Sequence, residues 1–308
     1  MTDLSVQART QAANASDYFA LLKPRVMSLV VFTALVGYVA APGAGDPVLG
    51  FASILAIAIA AGASGALNMW YDADIDARMS RTKNRPVPSG RVTKEEAFTL
   101  GVTLSILSVL TMLLSAGLLA AGLLAFTIFF YAVVYTMWLK RSTAQNIVIG
   151  GLAGALPPAI AWAAKTGSLG LDPAILVAII FFWTPPHFWS LALLTKKDYA
   201  AANVPMLPVT AGARVTRLNI LGYALFVAPL AVTPVLTGLG HTIYAVVSIL
   251  GGLAFIALAA RVAFSHAGDD MGAKTDKPAR DMFFYSIFYL FALFAALLIE
   301  RALPIVLP

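Results

Sequence analysis

The sequence lacks cysteine altogether, and it carries little charge for its size. Without cysteine it forms no disulfide, no thiolate ligand to haem iron and no iron–sulfur cluster. Only 12% of the 308 residues are charged, whereas 60% are hydrophobic and the mean hydropathy is +0.83. This balance excludes an ordinary soluble domain and indicates a protein that crosses a membrane several times.

Nine apolar segments are long enough, or nearly so, to span a bilayer core of about 30 Å. They are Val26–Ala41, Val48–Leu67, Ala97–Ala116, Leu118–Trp138, Ile147–Ala164, Pro173–Leu194, Leu218–Leu236, Ile243–Phe264 and Phe283–Ile299. Only a break at Gly117 separates the third segment from the fourth. We therefore predict an all-α membrane protein, a bundle of about nine transmembrane helices whose cytoplasmic loops cap a central cavity. A flexible cytoplasmic tail over 1–16 would precede a single membrane domain over 17–308.

The basic residues fall on one side of this arrangement. With nine spans and the N-terminus inside, every one of the 21 basic residues except Lys165 and Arg301 lies on the inner side. This asymmetry follows the positive-inside rule, and it explains the net charge of +6 without a nucleic-acid partner. We expect a multi-pass protein of the cell inner membrane with a cytoplasmic N-terminus.

One polar stretch, Asn68–Arg91, separates the second apolar segment from the third. Asn68, Asp72 and Asp76 are spaced four apart, so a helix stacks them along one face and turns Asp74 away. Carboxylates one turn apart repel each other, and the C-terminal end of a helix disfavours anions. A divalent cation such as Mg²⁺ removes both costs, because it takes oxygen ligands and shares them with substrate phosphates.

Basic residues surround these carboxylates on the predicted inner side. The cations that follow in the same stretch are Arg78, Arg81, Lys83 and Arg85, and they are candidates for holding phosphate oxygens. A solvated loop whose charges pair with each other is the alternative interpretation. Four more cations stand at the ends of spans one and four, and they are either positive-inside anchors or further phosphate or carboxylate ligands: Lys23, Arg25, Lys140 and Arg141.

A second charged loop follows the sixth apolar segment. It places Asp198 beside Lys196 and Lys197, four spans after the first acidic stretch. That placement points to an internal repeat with a site at the repeat interface, while a surface ion pair is the alternative. His187 lies just before this loop, next to a double proline. A lone histidine in an apolar run is either a hydrogen-bonded structural residue or a functional one.

Together these motifs resemble the UbiA-type intramembrane prenyltransferases. The resemblance rests on Asn68-x-x-x-Asp72-x-x-x-Asp76 after span two and on the second acidic loop after span six. Longer runs are similar to the haem-prenylating members of the family: 17–26, 68–76, 81–86, 183–189 and 198–209. Many family members carry two aspartates four apart in the second motif, whereas here Ala202 stands at that distance from Asp198.

The resemblance implies transfer of a farnesyl group from farnesyl diphosphate to a vinyl group of haem B, which gives haem O and diphosphate. It implies catalytic roles for Asn68, Asp72, Asp76 and Asp198, with Mg²⁺ held by the three aspartates. The implied diphosphate ligands are Lys23, Arg25, Arg81, Lys83, Arg85, Lys140, Arg141, Lys196 and Lys197. The implied haem or acceptor pocket comprises Tyr135, Trp183, His187 and Trp189. The expected partners are the two substrates and the lipid bilayer, without nucleic acid, and the family suggests a haem-modifying enzyme or an oxidase as a protein partner.

Two other functions fit the same pattern. One keeps the fold but changes the acceptor to another aromatic ring, such as a quinone-precursor acid; the run Trp183–Trp189 argues against it by resemblance. The other is an ion-coupled transporter that uses the acidic stripe as its ion site. Transporter charges are expected near the membrane midplane, whereas these cluster at the cytoplasmic edge among many cations.

Overall fold

The computed structural model describes residues 13–269 and 273–302, which form helices joined by loops. The first five helices are α1 (Ala15–Leu21), α2 (Pro24–Ala40), α3 (Pro47–Tyr71), α4 (Ala73–Arg78) and α5 (Lys94–Phe129). A π-helix follows at Phe130–Leu139, and then come α6 (Lys140–Ser142), α7 (Asn146–Ala155), α8 (Pro157–Thr166), α9 (Leu171–Leu194) and α10 (Lys196–Ala201). The chain continues with α11 (Leu207–Thr210), α12 (Gly212–Leu230), α13 (Thr233–Leu236), α14 (Thr242–Ala263) and α15 (Ala273–Ala302).

The ends of several helices follow from local capping. Asp46 accepts hydrogen bonds from the backbone N–H groups of Val48 and Leu49 and so begins α3. Thr93 and Glu96 form a reciprocal capping box at the start of α5. Residues 1–12 of the predicted tail lie outside the described residues, whereas Asn14 already caps α1.

The longest apolar segment is too long for a single span. By length and composition, seven helices among the described residues can cross a membrane, or eight if the bent pair α1–α2 counts as one span. One of the seven, Lys94–Ser142, has 49 residues. If straight it would be about 74 Å long, more than twice the hydrocarbon core of a bilayer.

Contacts with α3 show that this segment folds back on itself at Gly117. Ser115 hydrogen-bonds to Ser53 near the start of α3, whereas Thr136 bonds to Asn68 near its end. Gly117 adopts φ 81° and ψ −175°, outside the helical region. The predicted break at Gly117 is confirmed, and the segment provides two antiparallel spans. With these two, and with the bent pair as one, residues 13–269 and 273–302 provide nine candidate spans, the number that the sequence predicts.

The spans form a closed bundle. In the first half, α3 packs on α5 and α2 packs on α8; in the second, α9 packs on α12 and α15, and α14 on both α12 and α15. The ring closes where α15 meets α2, with the rings of Phe32 and Phe291 stacked 4.8 Å apart. Each half has its own apolar core, one around Leu124 and Ile160 and the other around Phe255 and Leu297.

Two polar loops from opposite halves of the sequence meet at one end of the bundle. Ile75 and Met79 of the first loop share an apolar cluster with Tyr199, Val204 and other residues of the second. Lys165 lies at the opposite end, beyond the C-terminal end of α2, where its ammonium donates to the carbonyl of Ala41 at 2.7 Å. The loops therefore cap one end of the bundle, as the sequence predicts.

Candidate active site

Asn68, Asp72 and Asp76 form the predicted polar stripe, although the helix is interrupted at Asp72. Helix α3 ends at Tyr71 and α4 begins at Ala73, yet the N–H of Asp72 donates to the carbonyl of Asn68 and that of Asp76 to the carbonyl of Asp72. The helical register therefore continues, and all three side chains are buried. A solvated loop, the alternative interpretation, does not fit this burial.

Asp72 is the centre of a buried charge cluster. It is fully buried, and its Oδ2 pairs with the Lys140 ammonium and accepts a hydrogen bond from Asn68 Nδ2 at 2.8 Å. Arg141 Nη2 lies 3.6 Å from its Oδ1, which is buried and has no hydrogen-bond partner among the described residues. An ionised carboxylate at such a depth requires this pairing, because the desolvation cost is not otherwise recovered.

Each of the other two carboxylates has its own arginine. Arg85 Nη1 lies 2.7 Å from Asp76 Oδ2, and Arg141 donates to both oxygens of Asp74 at 2.9 Å and 2.7 Å. The hydrogen bonds from Arg141 hold the pKa of Asp74 at about 2, well below its ordinary value. The Asp74 side chain is 53% exposed, in agreement with the prediction that it points away from the stripe.

Lys23 reaches the cluster from the bend between α1 and α2. The two helices are inclined by 52°, and Lys23 takes the left-handed conformation, φ 51° and ψ 51°, which residues other than glycine rarely adopt. Its ammonium donates to Asn68 Oδ1 at 2.5 Å. Gly65 permits this approach, because a Cβ at that position would lie 3.1 Å from the Leu21 carbonyl oxygen. Such strain persists where the surrounding structure enforces it, and it is common at functional sites.

The remaining predicted diphosphate ligands lie outside the buried cluster. Four of them are exposed on the protein surface: Arg25, Arg81, Lys83 and Lys197. The ammonium of Lys196 lies 3.4 Å from the carbonyl oxygen of Gly268, in the loop before α15. The contacts of the described residues thus join Lys23, Arg85, Lys140 and Arg141 to the acidic stretch.

Asp198 meets the first loop but does not join its carboxylates. Its Oδ2 accepts a hydrogen bond from Ser80 Oγ at 2.7 Å. Within residues 13–269 and 273–302, no three His, Cys, Asp or Glu side chains are grouped closely enough to hold one metal ion. Ala202 is buried among the apolar side chains of the cap, including Ile75. A carboxylate at position 202 would therefore be buried among hydrocarbon, which gives a physical reason for alanine there.

Two residues of the predicted acceptor pocket are fixed at the contact between α9 and α15. The His187 ring stacks between Trp183, with centroids 4.4 Å apart, and Phe283, at 4.8 Å. His187 Nδ1 is 2.7 Å from Ser286 Oγ, and Trp183 Nε1 donates to the backbone carbonyl of Ser286 at 2.8 Å. The hydrogen bond and the stacking make His187 at least a structural residue of this contact.

Trp189 and Tyr135 do not join that pair. Because Trp189 is two residues after His187, it faces another side of α9, where its ring stands nearly perpendicular to that of Tyr223 at 5.3 Å. Trp189 is only 2% exposed and belongs to the helical core. Tyr135 contacts Tyr131 at 5.4 Å and packs closely over Gly150. The four predicted pocket residues therefore do not form one group.

Sequence reasoning missed the uncharged side chains that form hydrogen bonds with the predicted site residues. Thr136 accepts from Asn68 Nδ2 at 3.0 Å, Ser80 binds Asp198, and Ser286 holds both His187 and Trp183. A weak signal existed for Thr136, which precedes Lys140 by about one turn of the same helical segment. No signal marked the serines, since a single serine in a loop or an apolar helix is common.

Two cavities lie away from this cluster. One of about 420 Å³ is bounded by α9 and α12 and lined by Phe182, Leu218, Asn219, Gly222, Tyr223 and Phe226. The other, of about 580 Å³, lies around α13 and the first turns of α14. Neither cavity is lined by a predicted site residue. The candidate active site is therefore identified from its buried charged residues and not from a cavity.

Comparison with known proteins agrees with this geometry. The model of the UbiA prenyltransferase family matches residues 30–299. A protein from Caulobacter vibrioides named Protoheme IX farnesyltransferase is 61% identical, and the match covers 94% of this chain and 92% of that protein. A protein of the same name from Methylobacterium radiotolerans is 57% identical over 97% of this chain and 93% of its own.

Solved structures share the fold at low sequence identity. A structure described for digeranylgeranylglyceryl phosphate synthase superposes with a TM-score of 0.73 at 15% identity and covers 92% of this chain and 98% of that one. A UbiA homologue from Archaeoglobus fulgidus, bound to GPP and Mg²⁺, superposes with a TM-score of 0.68 at 15% identity over 91% and 99% of the two chains. The family model that matches most of the chain, and the relatives that are 57% to 61% identical over nearly their full length, establish that this chain belongs to the UbiA prenyltransferase family.

Proposed function

We propose that this protein transfers a farnesyl group from farnesyl diphosphate to a vinyl group of haem B and releases haem O and diphosphate. The observation that carries the proposal is the 61% identity to a protein named Protoheme IX farnesyltransferase over nearly the full length of both chains. The buried cluster of carboxylates and cations supports the same reaction class, because a diphosphate leaving group requires charge stabilisation.

The cations of the cluster are suited to hold the departing diphosphate. The allylic C1–O bond breaks, and its electron pair leaves with the diphosphate. Lys140 and Arg85 now pair with Asp72 and Asp76, and Lys23 binds Asn68 beside them. All three lie within one side-chain length of the stripe, so a small rotation turns them toward phosphate oxygens.

The acidic stripe fits one Mg²⁺ ion. Asp72 and Asp76 offer oxygen donors on a single face, and Asp72 Oδ1 is buried without a hydrogen-bond partner among the described residues. Two carboxylates are the number that Mg²⁺ commonly takes from a protein when it also binds substrate phosphates. When bound, the ion supplies charge neutralisation to the leaving diphosphate. Asp198 lies on the facing loop. As a metal ligand, Asp198 is proposed only for a second ion.

The acceptor step requires a dry and aromatic environment. The allylic cation is captured by the terminal carbon of the haem vinyl group, and water then adds to the carbon next to the macrocycle and loses a proton, which gives a hydroxyethylfarnesyl product. Exclusion of water from the first cation favours the vinyl group over hydrolysis. Tyr135, on the π-helix that ends just before Lys140, and the stacked pair Trp183 and His187 are the proposed aromatic residues for this environment.

We also propose that the polar end of the bundle faces the cytoplasm of the cell inner membrane. The two polar loops lie at this end together with the cations Lys23, Lys140 and Arg141, whereas Lys165 lies at the other, and this distribution follows the positive-inside rule. A haem-modifying enzyme or an oxidase is the proposed protein partner, because haem O is itself poorly soluble in water and would pass to a protein in the same membrane.

The test is a product assay with a panel of acceptors. Membranes that contain the protein are incubated with farnesyl diphosphate, Mg²⁺ and either haem B or a quinone-precursor aromatic acid, and products are identified by mass spectrometry. We expect haem O in the first reaction and no prenylated acid in the second.

Membranes that contain the Asp72→Asn variant are the matched control. A prenylated aromatic acid in place of haem O would move the function to the other acceptor within the same fold. Hydrolysis of farnesyl diphosphate without any prenylated acceptor would remove haem from the proposal and leave only the diphosphate chemistry.

A further inference from the structure

Thr136 is a buried hydroxyl next to the acidic cluster. It is fully buried, and its Oγ1 accepts a hydrogen bond from Asn68 Nδ2 at 3.0 Å. The two residues are 68 positions apart in the sequence and come together because the chain reverses at Gly117. Buried polar groups are costly unless they are hydrogen-bonded, so this contact restrains both side chains.

The Asn68 amide is held in one orientation. Its two N–H groups donate to Thr136 Oγ1 and Asp72 Oδ2, and its Oδ1 accepts from the Lys23 ammonium. A reversed amide would direct N–H groups at an ammonium and an oxygen at a carboxylate, and both contacts would be repulsive. Thr136 provides the acceptor for the second N–H, so both N–H groups and the oxygen of the Asn68 amide have hydrogen-bond partners.

This orientation decides which oxygen of Asp72 is engaged. Oδ2 takes the hydrogen bond from Asn68 and the ion pair from Lys140, whereas Oδ1 is buried with no hydrogen-bond partner in the described part of the chain. Arg141 Nη2 lies 3.6 Å from Oδ1, and it makes its hydrogen bonds with Asp74 and with the carbonyl of Tyr71. Oδ1 is therefore the oxygen that is presented to a hard cation.

The π-helix carries Thr136, and Lys140 follows directly after its last residue, Leu139. The N–H of Lys140 donates to the carbonyl of Tyr135, five residues back, which is the hydrogen-bond pattern of this wide helix. π-Helical segments are mostly single turns and are frequent at functional sites, whereas this one spans ten residues. The π-helix thus places the Thr136 hydroxyl at Asn68, and the residue that follows it places an ammonium at Asp72.

We infer that Thr136 is a positioning residue that acts through Asn68 to hold Asp72 Oδ2, so that Asp72 Oδ1 is the oxygen that binds the divalent cation. The inference rests on the proposed function, since that proposal gives Asp72 its metal. Thr136 lies in the fourth span, whereas the carboxylates of the proposed metal site follow the second span.

The test measures metal affinity without prenyl transfer. The purified full chain in detergent is titrated with Mn²⁺ alone, and free Mn²⁺ is followed by electron paramagnetic resonance. Thr136→Val keeps the shape of the side chain and removes the acceptor, whereas Thr136→Ser keeps the hydroxyl. We expect the dissociation constant for Mn²⁺ to rise about tenfold or more in Thr136→Val and to stay within about twofold in Thr136→Ser, as for other residues that orient metal ligands.

A double mutant separates positioning from general packing. If Thr136 acts through Asn68, Thr136→Val should weaken Mn²⁺ binding no further in an Asn68→Ala background. Helical circular dichroism checks the fold, and Thr136→Ala replaces Thr136→Val if the valine variant does not fold.

The outcomes distinguish this inference from the proposed function. Wild-type Mn²⁺ affinity in Thr136→Val or Thr136→Ala, or equal losses in the valine and serine variants, would overturn the inference alone. Absence of Mn²⁺ binding by the wild type would overturn both the inference and the metal part of the proposed function. Graded Mn²⁺ affinities together with no haem product would overturn only the choice of acceptor.

Discussion

Two acidic loops meet at the polar end of the bundle, and their carboxylates lie in different environments. In the first, Asp72 is fully buried and is paired with cations from a different span. In the second, Asp198 is partly exposed and its described contact is a neutral hydroxyl from the first loop. Both loops are charged in the sequence, yet Asp72 is packed into a buried charge network whereas Asp198 stays partly exposed.

This difference indicates a division of roles. Ionised groups remain buried only when partners compensate for the lost hydration. The buried carboxylates of the first loop have such partners, so charge is concentrated in the protein interior there. The second loop contributes apolar side chains such as Tyr199 and Met206, which pack the cap, and places one carboxylate opposite Ser80. The proposed chemistry therefore lies at the first loop, and the second loop packs against it.

The largest effect is expected from neutralising the buried carboxylate. Asp72→Asn removes the charge that we propose binds the metal, with little change in shape, and we expect haem O formation to fall by at least about 100-fold. Asp74→Asn, two residues away on an exposed face, is the matched control and should stay close to wild type, because exposed ion pairs contribute little. Initial rates of both variants in the same membranes check this, and equal losses would erase the distinction between buried and exposed carboxylates.

A smaller effect is expected at the second loop. Asp198→Asn keeps an acceptor for Ser80 but loses the charge, and we expect kcat/KM for farnesyl diphosphate to fall about tenfold. Ser80→Ala removes only a hydrogen bond between partly exposed groups, worth about 1 kcal/mol or less, and should leave kcat/KM within about threefold. Should Ser80→Ala lose as much activity as Asp198→Asn, the second loop would act only by holding the cap closed.

The smallest effect is a change in stability at low pH. Arg141 lowers the pKa of Asp74 to about 2 from an ordinary value of 3.8, so the pair stabilises the folded state above about pH 4. That contribution decreases as the pH falls from 4 towards 2, and it is under about 1 kcal/mol because Asp74 is half exposed. Thermal unfolding in detergent should show Asp74→Asn slightly less stable than wild type at pH 6, with the gap closing near pH 2. A gap that widens on acidification would contradict this sign.

Much of the fold was predictable because its signals are local. Apolar length gave the spans, and Gly117 marked the reversal that the contacts of Ser115 and Thr136 with α3 confirm. The spacing of Asn68, Asp72 and Asp76 also predicted their common face, because backbone hydrogen bonding keeps the helical register through the break at Asp72. These properties depend on residues within a few turns of each other.

The partners in the site were less predictable. Nothing local distinguishes Lys140, which pairs with Asp72, from Lys83, which is exposed beside the same loop. The aromatic residues of the sixth span do not pack together, for a related reason. Trp183 and His187 are four residues apart and stack, whereas Trp189 faces another helix. Their shared run of sequence carries no information about which neighbour each face meets.

The sequence by itself determined that the chain is a helical membrane protein, where its spans lie, which end carries the charge, and which family it resembles. Only the tertiary structure decided which cation meets which carboxylate, that Asp198 faces Ser80, and that Thr136 supports Asn68. The physical reason is distance along the chain. Helical periodicity and hydrophobicity act over a few residues, whereas the ion pair between Lys140 and Asp72 joins groups 68 residues apart and forms only after the bundle has closed.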